Sequence, residues 1–70
     1  MSRIQSRIVE FDECEVTTIA NTKTIIPAGR NITIEIKTST GGVSVRPAGQ
    51  SIDIGYIEWK RLQDDGLVRE

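Results

Sequence analysis

The stretch Thr24-Ile25-Ile26-Pro27-Ala28-Gly29-Arg30-Asn31-Ile32-Thr33-Ile34 recurs twenty residues later as Ser44-Val45-Arg46-Pro47-Ala48-Gly49-Gln50-Ser51-Ile52-Asp53-Ile54. Both copies run from a β-branched segment through Pro-Ala-Gly into a segment that alternates isoleucine with polar residues. Proline pre-sets φ at the second residue of a tight turn, and glycine supplies the positive φ that lets a chain reverse. Each copy therefore predicts a β-hairpin.

The loop length sets the register. With Pro-Ala-Gly-x as a four-residue loop, Ile25 lies opposite Ile32 and Thr24 opposite Thr33; in the second copy Val45 meets Ile52, Val43 meets Ile54 and Ser44 meets Asp53. A three-residue loop would set Ile25 against Asn31 and Val45 against Ser51. A one-residue slip sends every side chain to the wrong face, which favours the longer loop. Between the copies, 38–41 forms a third four-residue loop that pairs Lys37 with Gly42, Ile36 with Val43 and Ile34 with Val45.

Together the three turns predict an antiparallel meander of four strands over roughly 22–54. Its apolar face carries Ile25, Ile32, Ile34, Ile36, Val43, Val45, Ile52 and Ile54. Its other face carries Thr24, Ile26, Thr33, Glu35, Lys37, Ser44, Arg46, Ser51 and Asp53. The phrase apolar-Pro-Ala-Gly-x-x-Ile-x-Ile is similar to hairpins of many unrelated β-sandwich and phage structural proteins, a resemblance confined to these two stretches; it identifies no family.

Seventy residues make one domain, 1–70. A chain of this length buries only about 60% of the surface that its unfolded form exposes, and its core rarely contributes more than about 3–5 kcal/mol. Eleven isoleucines and five valines against two leucines favour strands. The single cysteine, Cys14, excludes an internal disulfide framework, and there is no histidine. A small β domain without such staples often gains stability by association, and a meander leaves two edges to be covered, so a homo-oligomer is one expectation. Net charge of −1 argues against a dedicated nucleic-acid binder. No signal peptide or apolar run long enough for a membrane span is read from the sequence, so the expected compartment is the cytoplasm, or a virus-like particle assembled in it.

Before the meander, 3–11 reads as a strand whose alternation breaks between Ile8 and Val9, a place for a bulge or a short helical turn. Val16-Thr17-Thr18-Ile19-Ala20 is β-branched again, and Asn21 marks a turn. The C-terminal segment forks. Glu58-Trp59-Lys60-Arg61-Leu62-Gln63 lacks β-branched residues, which favours a helix over 56–65; Tyr56, Trp59 and Leu62 then share a stripe and Gly66 ends the helix. That stripe would lie on the meander's open apolar face, with Trp59 over Ile34 and Val45. The alternative is a strand continuing from Ile54, with Asp65-Gly66 as a hairpin to Leu67-Val68. The expected fold is thus mainly β (α+β): a four-stranded meander, N-terminal strands and a short C-terminal helix. An all-β small barrel with a C-terminal Asp-Gly hairpin is the alternative.

Chemistry is thinly signalled. Glu10, Asp12, Glu13 and Glu15 are strung along one segment without glycine, so they do not converge on a cation, and they read as a solvated acidic edge. Asp64 and Asp65 belong to the turn before Gly66. Cys14 lies among carboxylates that would raise its pKa, and no histidine is present to act as base, so it reads as a small buried hydrophobe. No nucleophile elbow or phosphate-cradling loop is present, so no enzyme activity, cofactor or metal is expected.

Two surfaces remain. Tyr56, Trp59, Lys60, Arg61 and Arg69 form the aromatic-basic concentration, with Trp59 expected in the core. Thr33, Glu35, Lys37, Ser44 and Arg46, flanked by Thr24 and Ser51, form a polar sheet face. Tyrosine, tryptophan and arginine are residue types that anchor protein interfaces. The polar face reads as a recognition platform or inter-subunit contact or, equally, as a solvated sheet face. The expected function is a non-enzymatic binding module for another protein, a regulator or inhibitor of phage or bacterial accessory type. The alternatives are a virion or assembly component acting as a homo-oligomer and a single-stranded nucleic-acid binder.

Overall fold

The computed structural model describes residues 4–70. Seven strands and one helix follow in order: β1 (Ile4–Phe11), β2 (Cys14–Thr17), β3 (Lys23–Ile26), β4 (Gly29–Lys37), β5 (Val43–Arg46), β6 (Ile52–Ile54), α1 (Tyr56–Asp64) and β7 (Val68–Arg69). An antiparallel five-stranded sheet in the order β6-β5-β4-β1-β7 curls into a half-barrel, and β2 and β3 form a separate two-stranded sheet. The molecule is mainly β with one short C-terminal helix, the class that the sequence predicts.

The second Pro-Ala-Gly copy folds in the expected register, with Val43 opposite Ile54, Ser44 opposite Asp53 and Val45 opposite Ile52. Its turn has positive φ at Ala48 (49°) and Gly49 (83°), and the Gln50 N–H donates to the Pro47 carbonyl. That is the signature of a type I′ turn, whose twist matches the flanking strands. Pro47 is its first residue rather than its second. The 38–41 loop also holds: Lys37 donates to the Gly42 carbonyl, Gly41 donates to the Lys37 carbonyl, and Ile34 and Ile36 face Val45 and Val43.

The first copy does not form a hairpin. Gly29 lacks a positive φ, and the chain passes from β3 in one sheet to β4 in the other instead of reversing. The fourth strand beside β4 is β1, not the segment around Thr24–Ile26. β1 runs antiparallel along nearly all of β4, from Ile4 opposite Lys37 to Phe11 opposite Gly29, which a four-residue β3 cannot do. β3 pairs instead with β2, Thr24 opposite Val16 and Ile26 opposite Cys14. The consequence is a reversed face: Ile26 is fully buried and Ile25 is exposed, the opposite of the meander expectation.

β1 starts at Ile4; Arg3, where the expected strand began, lies outside the described residues. Its alternation is regular, with Val9 and Phe11 inward and Ile4 and Ile8 outward. The irregularity lies on β4, where three steps from Ile32 to Gly29 oppose two steps from Val9 to Phe11.

Helix α1 stops one residue before the expected end. Gly66, at φ 72°, is its C′ residue: the Gly66 N–H reaches the Gln63 carbonyl and the Leu67 N–H reaches the Leu62 carbonyl. This double bond pattern is a Schellman motif. The strand of the alternative reading also exists, but β7 pairs with β1, with Val68 opposite Phe11, rather than with a strand running on from Ile54. Trp59 and Leu62 fill the concave side with Val9, Phe11, Val16, Ile26, Ile32, Ile34, Val43, Val45, Ile52 and Ile54. Trp59 meets Phe11 edge to face, with ring centroids 6.3 Å apart at 61°. Tyr56, expected on the same stripe, is exposed at the helix start.

Candidate binding surface

Helix α1 is held on the sheet by a clamp that the sequence did not reveal. The Glu58 carboxylate accepts the Thr17 N–H at 2.7 Å and the Arg61 Nε–H at 2.7 Å. Arg61 also donates to the Glu15 carbonyl and to Asp65, each at 3.2 Å. The Arg61 guanidinium, with the Thr17 N–H beside it, holds the Glu58 carboxyl below its ordinary range, and Glu58 raises Arg61 in turn. Arg61, expected on a recognition surface, is thus engaged in fixing α1 to β2.

Trp59 is buried and presents no face to a partner. Arg69 stands apart from Tyr56: it donates to Asp12 at 3.0 Å, lies 3.5 Å from Glu10 and caps the Gly66 carbonyl at 2.8 Å. Arg69 lowers the Asp12 carboxyl and is itself raised by it.

Beside the engaged Arg61 and the polar Gln63 and Asp64, α1 leaves Tyr56, Ile57 and Lys60 outward. Ile57 is 83% exposed and Tyr56 55%. The tip of the β2–β3 hairpin brings a third apolar group: the Ile19 N–H donates to the Asp53 carbonyl at 3.0 Å, and Ile19, 66% exposed, lines one cleft with Tyr56. The Tyr56 ring is seated against the β4–β5 turn, where a Cβ on Gly41 would come within 2.9 Å of it. Tyr56, Ile57 and Lys60 line an adjoining cleft together with Arg61, Asp64 and Asp65. The result is an apolar patch with one aromatic and a rim of mixed charge, carried on two anchored elements. Ile19 and Ile57 escaped the sequence reading. The signal for Ile57 is its place two residues before buried Trp59, which on a helix is the opposite face.

The second expected surface is the convex face of the five-stranded sheet. Thr33 lies opposite Arg46 and Glu35 opposite Ser44, as expected, and Arg46 bonds Glu35 at 2.8 Å. Ser44 is buried and donates to the Asp53 carboxylate. Thr24 belongs to the other sheet, so it does not flank this face. β1 adds Ile4, Ser6 and Ile8 instead. The charges here are largely satisfied among themselves, leaving Thr33 and the isoleucines unengaged.

Cys14 is half-buried against the core, and burial pushes its thiol up despite nearby Arg61. Among the described residues no three acidic or cysteine side chains converge on one point, and no helix is long and apolar enough to cross a membrane. Comparison with family models, curated proteins and solved structures finds no match to this chain.

Proposed function

We propose that this chain is a non-enzymatic binding module, working in the cytoplasm as a regulator or inhibitor of phage or bacterial accessory type, and that Tyr56, Ile57, Lys60 and Ile19 form its protein-binding patch. The observation that carries the reading is Ile57, an isoleucine 83% exposed on a helix whose other face is locked down by Trp59, Leu62 and the Glu58–Arg61 clamp. Rigid apolar and aromatic anchors beside a charged rim are the residue types that dominate interface energetics, and pre-anchored elements lose little entropy on binding. Lys60, which has no ion-pair partner among the described residues, fits a single carboxylate on a partner whose own rim is of mixed charge, since Asp64 and Asp65 line the same cleft. The single-strand nucleic-acid reading has less support, because Trp59 is turned inward and Arg61 and Arg69 are engaged with carboxylates.

The test is capture from the producing cell with the wild-type chain and with Ile57→Glu, both checked for equal melting temperature. A defined protein retained by wild type and by a Thr33→Ala control, but lost with Ile57→Glu, is the expected result. Equal capture by Ile57→Glu, or salt-dependent binding to a labelled single-stranded oligonucleotide in place of protein capture, overturns the reading.

A further inference from the structure

We propose that β1 is a self-pairing edge, through which two copies of the chain join antiparallel about a two-fold axis at Ser6. The surface is separate from the helix patch and does not depend on it.

Hydrogen-bond parity shows which backbone groups are available. Lys37 directs its N–H to Gly42, toward β5, so Thr33 and Glu35 do likewise and Ile34 and Ile36 turn toward β1. Their partners Arg7 and Gln5 use their backbone groups on β4. Ile4, Ser6 and Ile8 therefore turn N–H and C=O to the far edge, the side on which the Asp12 N–H reaches the Leu67 carbonyl at 2.9 Å. β7 covers that edge only at Glu10 and Phe11; among the described residues no strand lies along 4–8.

The open edge, Ile4-Gln5-Ser6-Arg7-Ile8, keeps its isoleucines and its central serine in place when reversed, and only Gln5 and Arg7 change places. Centred on Ser6, antiparallel pairing sets Ile4 opposite Ile8 of the second copy, Gln5 opposite its Arg7 and Ser6 opposite its Ser6. The contact is isologous, as two-fold symmetry requires. On the convex face four isoleucines meet across the junction. Ile4 is 58% exposed and Ile8 63%, and the other isoleucines of this sheet are buried or half-buried. On the concave face Gln5 lies opposite Arg7, whose guanidinium is already held by the Glu70 carboxylate of its own chain. The isoleucine pairs and the backbone bonds therefore carry the contact, and a small serine at the axis lets the backbones close. A shift by two residues breaks both isoleucine pairs, and a shift by one sends them to the wrong face. Five residues per strand is a small contact beside the roughly 800 Å² per partner of a standard interface, so the dimer forms in a concentration-dependent way.

Sedimentation velocity across about a thousand-fold range of concentration tests this, with Trp59 fluorescence confirming the fold of each variant. Wild type is expected to shift from monomer to dimer as concentration rises. Ile4→Lys with Ile8→Lys sets like charges opposite each other at both ends of the junction and should remain monomeric. Ile4→Lys with Ile8→Glu sets opposite charges at the same positions and should recover the dimer. Ser6→Pro removes an N–H that faces the open edge, not β4, and should also remain monomeric. Ile57→Glu should dimerise as wild type does, which keeps this outcome distinct from that of the helix patch. A wild type that stays monomeric throughout, a double-lysine variant that dimerises normally, or a lysine–glutamate variant that fails to recover overturns the proposal.

Discussion

Gly49 and Gly29 occupy the same place in two similar sequence motifs, yet alanine should be costly at the first and nearly neutral at the second. At Gly49 φ is 83° and nothing lies within 4 Å of the point where a Cβ would stand, so the effect of Gly49→Ala is purely one of backbone. An L-residue in the left-handed region costs about 1–2 kcal/mol, and the reduced freedom of the unfolded chain returns about 0.4–1 kcal/mol, for a net loss of about 0.5–1 kcal/mol. In a domain of this size each 1 kcal/mol lowers the melting temperature by about 4–8 °C. At Gly29 the backbone is not in that region, and a Cβ would meet Ile32 Cδ1 at 3.2 Å, the far end of a side chain that can shift by a few tenths of an ångström. Reduced freedom of the unfolded chain then contributes about 0.4–1 kcal/mol in favour of Gly29→Ala, offset by that small displacement, for a net change within about 0.5 kcal/mol of zero. Ala48 supplies a third point. It already sits at φ 49°, so Ala48→Gly should gain about 0.5–1 kcal/mol after glycine's larger unfolded-state entropy is subtracted. Urea denaturation followed by circular dichroism, with thermal melts alongside, measures all three. Equal losses at Gly29 and Gly49, or a loss at Ala48→Gly, would refute the assignment of a type I′ turn to one motif and a sheet-to-sheet crossing to the other.

Three further outcomes are expected. Trp59→Ala removes a buried ring and its edge-to-face contact with Phe11, at about 3–5 kcal/mol, which matches the stability of so small a domain; the variant should lose its cooperative melt, while wild-type emission should be blue-shifted and resist iodide quenching. Glu58 binds its proton less tightly when folded than the ordinary value of 4.5, so its contribution is complete above that pH and is lost as the pH falls through the lower folded value; the urea midpoint should decline below about pH 4.5, and less steeply in Glu58→Gln. Asp12, lowered by Arg69, acts in the same direction and should sustain the residual slope. Cys14, with its thiol pushed up by burial, should react with a disulfide reagent more slowly than a free thiol at neutral pH, and its rate profile should be displaced to higher pH; a rate equal to that of glutathione would contradict its packing.

Sequence reasoning succeeded where contacts are local. The 38–41 loop, the Val43–Ile54 hairpin and the helix ending at Gly66 each depend on residues close in the chain, where turn chemistry and alternation suffice. It failed where a strand had two possible neighbours. Pro27-Ala28-Gly29 has the same turn residues as its twin, but the length of β1 and its inward Val9 and Phe11 decide the edge of β4, and that competition spans more than twenty residues. The misplacement of Ile25 and Ile26 followed from it. At the binding surface Tyr56 and Lys60 were legible as types. Ile19 needed the Asp53 hydrogen bond to reach Tyr56, and the structural role of Arg61 needed Glu15 and Glu58 brought together.

The sheet order β6-β5-β4-β1-β7 also governs the tempo of folding. The hairpins β4–β5 and β5–β6 close short loops, whereas β1 reaches β4 only after the β2–β3 excursion, and β7 reaches β1 across nearly the whole chain. Short closures cost little entropy and form fast; the distant ones are slow and await a surface to dock on. The second of the two duplicated motifs thus serves as the template, and β1, the earliest of the described strands in chain order, is among the last to find its place. Native-state hydrogen exchange should carry the imprint, with the amides of Val43, Val45 and Glu35 protected to the level of global unfolding and those of β7 released by a smaller, local opening.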